Sequence, residues 1–209
     1  MNHHFWVFAM ASLLLNITPG NDMIFVASRS AGQGTRAGIM SALGIMAGCM
    51  VHVLAAVAGL SAIMARSALA FSIVKYIGAG YLIYLGVRAL TNRKPASFGA
   101  DTRSERQPYG KVFWQGVWTN VLNPKVALFF LAFLPQFVDI GHGNPQWRIL
   151  FLGAWFDLGG TLVNILVAIL IGRMSHWLRN NPRWFVIQEK ITGGVLLALG
   201  IKVALTSKN

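Results

Sequence analysis

Two short stretches carry the residues best suited to chemistry. The first is Asn16-Ile-Thr-Pro-Gly-Asn-Asp22 and the second is Asn120-Val-Leu-Asn-Pro-Lys125. Proline has no N–H, and its ring clashes with the carbonyl four residues back. Within a helix, Pro19 therefore frees the carbonyl of Leu15, and Pro124 frees that of Asn120. Gly20 adds backbone freedom beside Pro19, and Thr18, Asn21 and Asn123 add hydrogen-bonding side chains. A half-helix that starts after such a break presents unpaired N–H groups and partial positive charge, which suit a carboxylate. Freed carbonyls beside Asn or Asp suit an ammonium group. A break in each half of the chain would together hold a zwitterion.

Asp22 and Lys125 flank the two breaks, one acid and one base. Charges inside a membrane are costly and are usually paired or functional. The plainer readings are that Asp22 caps a half-helix and that Lys125 snorkels toward water. Gly44, Gly48 and His52 recur every four residues, so small residues and an imidazole share one helix face. His52 is either a proton-carrying group or a core histidine bonded to a neighbouring helix. Gly153, Asp157, Gly160 with Thr161, and Asn164 form a polar stripe on another apolar helix. That stripe faces protein or a water-filled path, as interhelical glue or as part of a route for solute.

Other chemistry is absent from the motifs. The single cysteine, Cys49, lies in an apolar run and reads as a buried structural thiol. His3 and His4 have no third ligand in sight, so no metal site is expected. There is no His-Glu-x-x-His, no Gly-x-Ser-x-Gly and no phosphate-binding loop. These absences argue against an enzyme, a cofactor or direct drive by ATP. Lys75 and Glu189 lie within snorkelling reach of helix ends, and Pro135 stops or kinks the helix that ends near Gln136.

The elements that must position these residues follow from composition. Of 209 residues, 55% are hydrophobic and 11% charged, against about 25% charged in soluble domains. Six stretches are long and apolar enough to cross a bilayer: about 5–27, 38–64, 69–90, 112–138, 149–174 and 184–205. No alternating pattern supports a barrel, and the first stretch lacks the marks of a cleaved signal peptide. The chain therefore reads as an all-α integral membrane protein of six transmembrane helices in one domain, 1–209.

The net charge of +12 would suggest nucleic acid in a soluble protein. Here the basic residues orient the spans instead. Eleven Lys and Arg follow the first, third and fifth spans, from Arg29 to Arg183, and three (Arg66, Arg148, Lys208) lie on the other side. This places the first set in the cytoplasm and both termini outside. Trp6, Trp114, Trp147, Trp177 and Trp184 fall near span ends, as an aromatic belt would.

The two halves also resemble each other. The segment 77–88 aligns with 191–202, 42–59 aligns with 154–171 (pairing His52 with Asn164), and Pro19 matches Pro124. The first repeat spans about 5–90, a cytoplasmic loop about 91–111, and the second repeat about 112–205. A three-helix unit repeated once must enter the membrane from the opposite side. That is the inverted-repeat plan of many secondary transporters, whose sites lie at paired helix breaks.

On these motifs the chain resembles the LysE/RhtB superfamily of amino-acid exporters, on the RhtB side. The resemblance rests on Thr18-Pro-Gly-Asn-Asp22, Arg29-Ser30, Gly34-x-Arg36-x-Gly38 and Ala42-x-Gly44-x3-Gly48-x3-His52. It continues through Gly59-Leu60, Lys75-Tyr-Ile-Gly-Ala-Gly-Tyr-Leu82, Gly86, Asn123-Pro-Lys125, Phe129-Phe130 and Phe133-Leu-Pro-Gln-Phe137. The usual family form of the first break is Thr-Pro-Gly-Pro-Asp, and here Asn21 replaces the second proline. The resemblance implies efflux of amino acids or derivatives (threonine, homoserine, homoserine lactone or neutral aliphatic type) across the bacterial inner membrane, driven by the proton-motive force. His52 looks equivalent to a position where lysine exporters of the superfamily carry an acid, which argues against a strongly cationic substrate.

The expected site is thus Asn16, Thr18, Pro19, Gly20, Asn21, Asp22, Asn120, Asn123, Pro124 and Lys125, with Asp22, His52, Asp157 and Asn164 on a polar or proton path. Expected partners are an amino acid, protons and lipid, with spare Gly and Ala faces suited to a homodimer and no nucleic acid. The alternative within transport is a cation or heavy-metal exporter, for which the spans hold few carboxylates and one poor soft ligand.

Overall fold

Proline and glycine cut the long apolar runs into helices that stop and restart. The computed structural model describes residues 2–60, 68–91, 106–138, 144–179 and 183–205. Every regular element among them is helical. In chain order these are α1 (Asn2–Ile17), α2 (Asn21–Gln33), α3 (Thr35–Ala55), α4 (Ala68–Thr91), α5 (Tyr109–Val121), α6 (Pro124–Leu128), α7 (Pro145–Arg179) and α8 (Arg183–Leu205). A π-helical turn, Ala56–Leu60, extends α3, and α6 runs on through a π turn at Phe129–Phe133 and a 3-10 turn at Leu134–Phe137. Most of the basic loop, including Arg93, Lys94 and Arg103, lies outside the described residues, as do the side chains of His3, His4, Lys75 and Glu189.

The elements outrun the apolar stretches that mark them. The first run continues through α2 to Gln33, and the fifth covers Pro145–Arg179. Helical hydrogen bonding does not end where hydrocarbon ends, so polar flanks extend the same helix. Thr35–Gly59 and Pro145–Arg173 are each long and apolar enough to cross a membrane. The pair Tyr109–Val121 and Pro124–Phe137, bent by 44°, forms a third candidate if taken as one span.

Helix α7 is built inside out. Leu158, Leu162, Leu166 and Leu170 are 60%, 68%, 56% and 47% exposed, whereas Asp157, Thr161 and Asn164 are at most 7% exposed. In water such a helix would face the other way. Apolar surroundings would suit the exposed leucines, and the polar groups must then find partners inside the protein.

Glycine sets how closely the helices pack. A β-carbon on Gly44 would lie 2.1 Å from the Phe113 carbonyl oxygen, and one on Gly48 would lie 2.5 Å from that of Val117. A β-carbon on Gly116 would meet the Ser41 carbonyl at 2.6 Å. Backbones of α3 and α5 thus touch where side chains would hold them apart. Between α4 and α8, a β-carbon on Gly193 would lie 2.7 Å from the Gly86 carbonyl, and one on Gly200 would lie 2.9 Å from the Ala79 carbonyl. Residue 86 opposite 193 and 79 opposite 200 make this pair antiparallel. Between α3 and α7, Gly38 packs on Ala168 and Gly153 on Val53, again antiparallel. At the α2–α3 turn Gly34 has φ +92°, a value that side-chain-bearing residues rarely adopt. Its N–H donates to the Ser30 carbonyl at 3.0 Å.

Candidate functional site

Both proline breaks are complete. α1 ends at Ile17 and α2 begins at Asn21, with Gly20 extended at φ −159°. α5 ends at Val121 and α6 begins at Pro124, which has no N–H to lose at a first helical position. Asn123 caps α6: its Oδ1 accepts the Lys125 backbone N–H at 3.0 Å. Thr18 turns its hydroxyl back onto the Leu14 carbonyl.

Each freed carbonyl is taken by a basic side chain from the other half of the chain. The Lys125 Nζ donates to the Leu15 carbonyl at 3.2 Å and to the Thr18 carbonyl at 3.0 Å. Gly20 makes room for this, since a β-carbon there would sit 3.0 Å from Nζ. At the second break His52 Nε2 lies 3.1 Å from the Asn120 carbonyl, which also accepts the Asn123 N–H at 2.8 Å. Lys125 therefore reaches into the protein rather than snorkelling.

The two breaks meet across one polar cavity. Its lining includes Asn16, Thr18, Asp22, Asn120 and Lys125 from the break regions, and Asp157, Thr161 and Asn164 from α7. Asn120 Nδ2 donates to Asp22 Oδ2 at 2.9 Å, joining the halves directly. Asn16 Nδ2 donates to the Phe156 carbonyl at 3.0 Å, which ties α1 to α7. Asp22 Oδ1, Asn120 Oδ1 and Thr161 Oγ1 are buried with no protein partner. Unpaired buried polar groups are expensive, so these three point to water or a solute. The space open to water centres is about 30 Å³, more than the roughly 10–15 Å³ that one water needs on that measure.

Among the residues singled out from sequence, Asn16, Thr18, Asp22, Asn120, Lys125, Asp157 and Asn164 line this cavity. Pro19, Gly20, Asn123, Pro124 and His52 are not among its lining residues, and Asn21 is exposed. Sequence reasoning missed the apolar walls, Met23, Ile45, Val126 and Phe156, and it missed that the buried Cys49 thiol shares the lining. Nothing in their types separates them from other apolar residues. Only the packing does.

Two side-chain clusters lie on the elements that carry the cavity. Toward the start of α1 lies an aromatic one. Phe129 stacks on Phe156 at 4.1 Å between centroids and on Phe133 at 5.3 Å, and Phe8 meets Phe137 at 5.3 Å. Toward the end of α2 the second cluster is polar. Arg29 Nη2 donates to Gln115 Oε1 at 2.8 Å and to Gln107 Oε1 at 3.4 Å, and Gln33 Nε2 donates to the Gln107 carbonyl at 2.5 Å.

Among the described residues, a helical bundle with exposed leucines, two proline-broken helices and a buried cavity lined by polar groups between them fits a membrane translocator. The chain belongs to the LysE type translocator family, whose model matches residues 13–207. It is 31% identical to an uncharacterized membrane protein of Bacillus subtilis, YrhP, over 98% of this chain and all of that one. It is 30% identical to a homoserine/homoserine lactone efflux protein of Salmonella typhi, covering 95% of this chain and 96% of that protein. It is also 30% identical to a leucine efflux protein of Salmonella choleraesuis, over 96% and 94% respectively. No solved structure matches.

Proposed function

We propose that this chain is a secondary exporter of amino acids or their neutral derivatives across the bacterial inner membrane, driven by the proton-motive force. One observation carries the reading. A buried cavity at two helix breaks holds a lysine ammonium, a carboxylate with one oxygen unpaired, and unpaired Asn120 and Thr161 oxygens. This is the complement of a zwitterion. Asp22 Oδ1 and Asn120 Oδ1 would take the substrate ammonium, and the amide end of the lining with Lys125 would take its carboxylate. The names of the two Salmonella relatives support the amino-acid class.

The six-span inverted repeat belongs to the same proposal. The antiparallel pairing of α4 with α8 supports it, because aligning 77–88 with 191–202 carries the contact of 86 with 193 onto the contact of 200 with 79, as a two-fold relation between the halves requires. The charge excess after the odd spans supports termini on the periplasmic side. On this reading the aromatic cluster closes the periplasmic end and the Arg29 contacts close the cytoplasmic end. With room for water centres of only about 30 Å³, the cavity must widen to load an amino acid. Alternating loosening of the two closures would move substrate outward. His52, Asp22 and Asp157 are the candidate proton carriers.

The test is flux of labelled amino acids, homoserine included, into and out of liposomes holding the purified protein, with and without a pH gradient. Gradient-dependent flux of at least one neutral amino acid is expected. A flat response across the panel overturns the reading.

A further inference from the structure

The end of α1 carries an unusual arrangement. Its Leu15 and Thr18 carbonyls converge on one point, and the occupant of that point is the Lys125 ammonium, at 3.2 and 3.0 Å. Carbonyls at a helix C-terminus bear partial negative charge. In transporters with unwound helices, such carbonyls are the ligands that hold small coupling cations. Asp22 lines the same cavity and adds a full negative charge. The ligand chemistry of a monovalent-cation site is therefore present, and a side chain fills it.

The surroundings are shaped for that side chain. Gly20 leaves the space that Nζ occupies, since a β-carbon would lie 3.0 Å from Nζ and 3.3 Å from Cε. The Asn123 side chain holds the Lys125 backbone N–H at 3.0 Å, which fixes where the lysine stem starts. A snorkelling lysine would need neither feature. The other break is closed differently, by imidazole on the Asn120 carbonyl, so the cation seat is particular to the first break.

We infer that Lys125 is a tethered cation, seated where a free monovalent cation would otherwise bind, and that removing its ammonium unmasks a small-cation site at the α1 break. The intact protein then needs no sodium or potassium at this position. The binding claim stands without any substrate. Only its consequence, that efflux is independent of these ions, rests on the exporter reading.

The experiment measures thermal unfolding of the full chain in detergent. Wild type, Lys125→Arg, Lys125→Ala and Lys125→Ser are compared in lithium, sodium, potassium or choline chloride at equal ionic strength. Wild type and Lys125→Arg should melt alike in all four salts. Lys125→Ala and Lys125→Ser should melt lower in choline, and at least one small cation should raise their midpoint saturably. At ten times its dissociation constant the cation would raise it by about 3–6 °C. Recovery of folded variant from membranes in a small-cation salt but not in choline is the same result. Variants that melt alike in every salt, or fail to fold equally in every salt, overturn the inference. So does a saturable sodium or potassium response of wild type. Because no substrate enters this assay, it can fail while gradient-dependent flux persists, and the converse.

Discussion

Gly48→Ala should loosen the site through the backbone of a neighbouring helix. The new β-carbon would lie 2.5 Å from the Val117 carbonyl oxygen and 2.9 Å from the Asn120 β-carbon. Ordinary contact begins at 3.4 Å, so α5 must retreat by about 0.9 Å, and a backbone oxygen has no rotamer through which to yield. Asn120 rides on α5, and its 2.9 Å bond to Asp22 would stretch toward about 3.8 Å, beyond hydrogen-bonding range. Overpacking costs about 1–3 kcal/mol, offset by about 0.5–1 kcal/mol because alanine suits a helix better than glycine. The net cost, up to about 2.5 kcal/mol, lowers the melting midpoint by up to about 10 °C. The matched control is Gly80→Ala in α4, where nothing lies within 4 Å of the added carbon. That variant should melt at or above wild type. The assay is thermal unfolding in detergent, with flux in liposomes as second readout. If Gly48→Ala and Gly80→Ala melt alike and transport alike, glycine contact between α3 and α5 does not position Asn120.

Other outcomes follow from the same geometry. Asp22→Asn keeps the shape but removes the charge-assisted partner for a substrate ammonium, worth about 1.5–3 kcal/mol; apparent affinity in binding or flux assays should fall about 10–100-fold with the midpoint little changed. Cys49 is the single cysteine and lines the cavity, so it reports access without added labels. Phe129→Ala should speed its reaction with an impermeant maleimide from the periplasmic face, and Arg29→Ala from the cytoplasmic face, as scored in right-side-out and inverted vesicles. Equal rates in both variants from either face would refute the assignment of the two closures. Asn123→Ala removes the α6 cap and should cost about 0.5–2 kcal/mol, read as a lower midpoint that Asn123→Asp largely restores.

The breaks, their prolines and the polar stripe on α7 were legible in sequence because each departs from its surroundings. Pro19 and Pro124 must interrupt helices wherever they fall, and Asp157, Thr161 and Asn164 stand out in an apolar run. The small-residue spacing of Gly44 and Gly48 likewise announced close packing, and the family motifs announced a translocator. The partners on the opposite side of each contact were not legible. Nothing in one chain's order tells that Lys125 would reach the carbonyls of Leu15 and Thr18 more than a hundred residues away, or that Met23 and Val126 would wall the cavity while Leu162 stays exposed. Local sequence determined where backbone carbonyls would be set free, because proline's missing N–H acts within one helical turn. Only the tertiary structure decided what satisfies them, because hydrogen bonds and burial depend on which helix backbones approach, and that is settled by packing across the whole bundle.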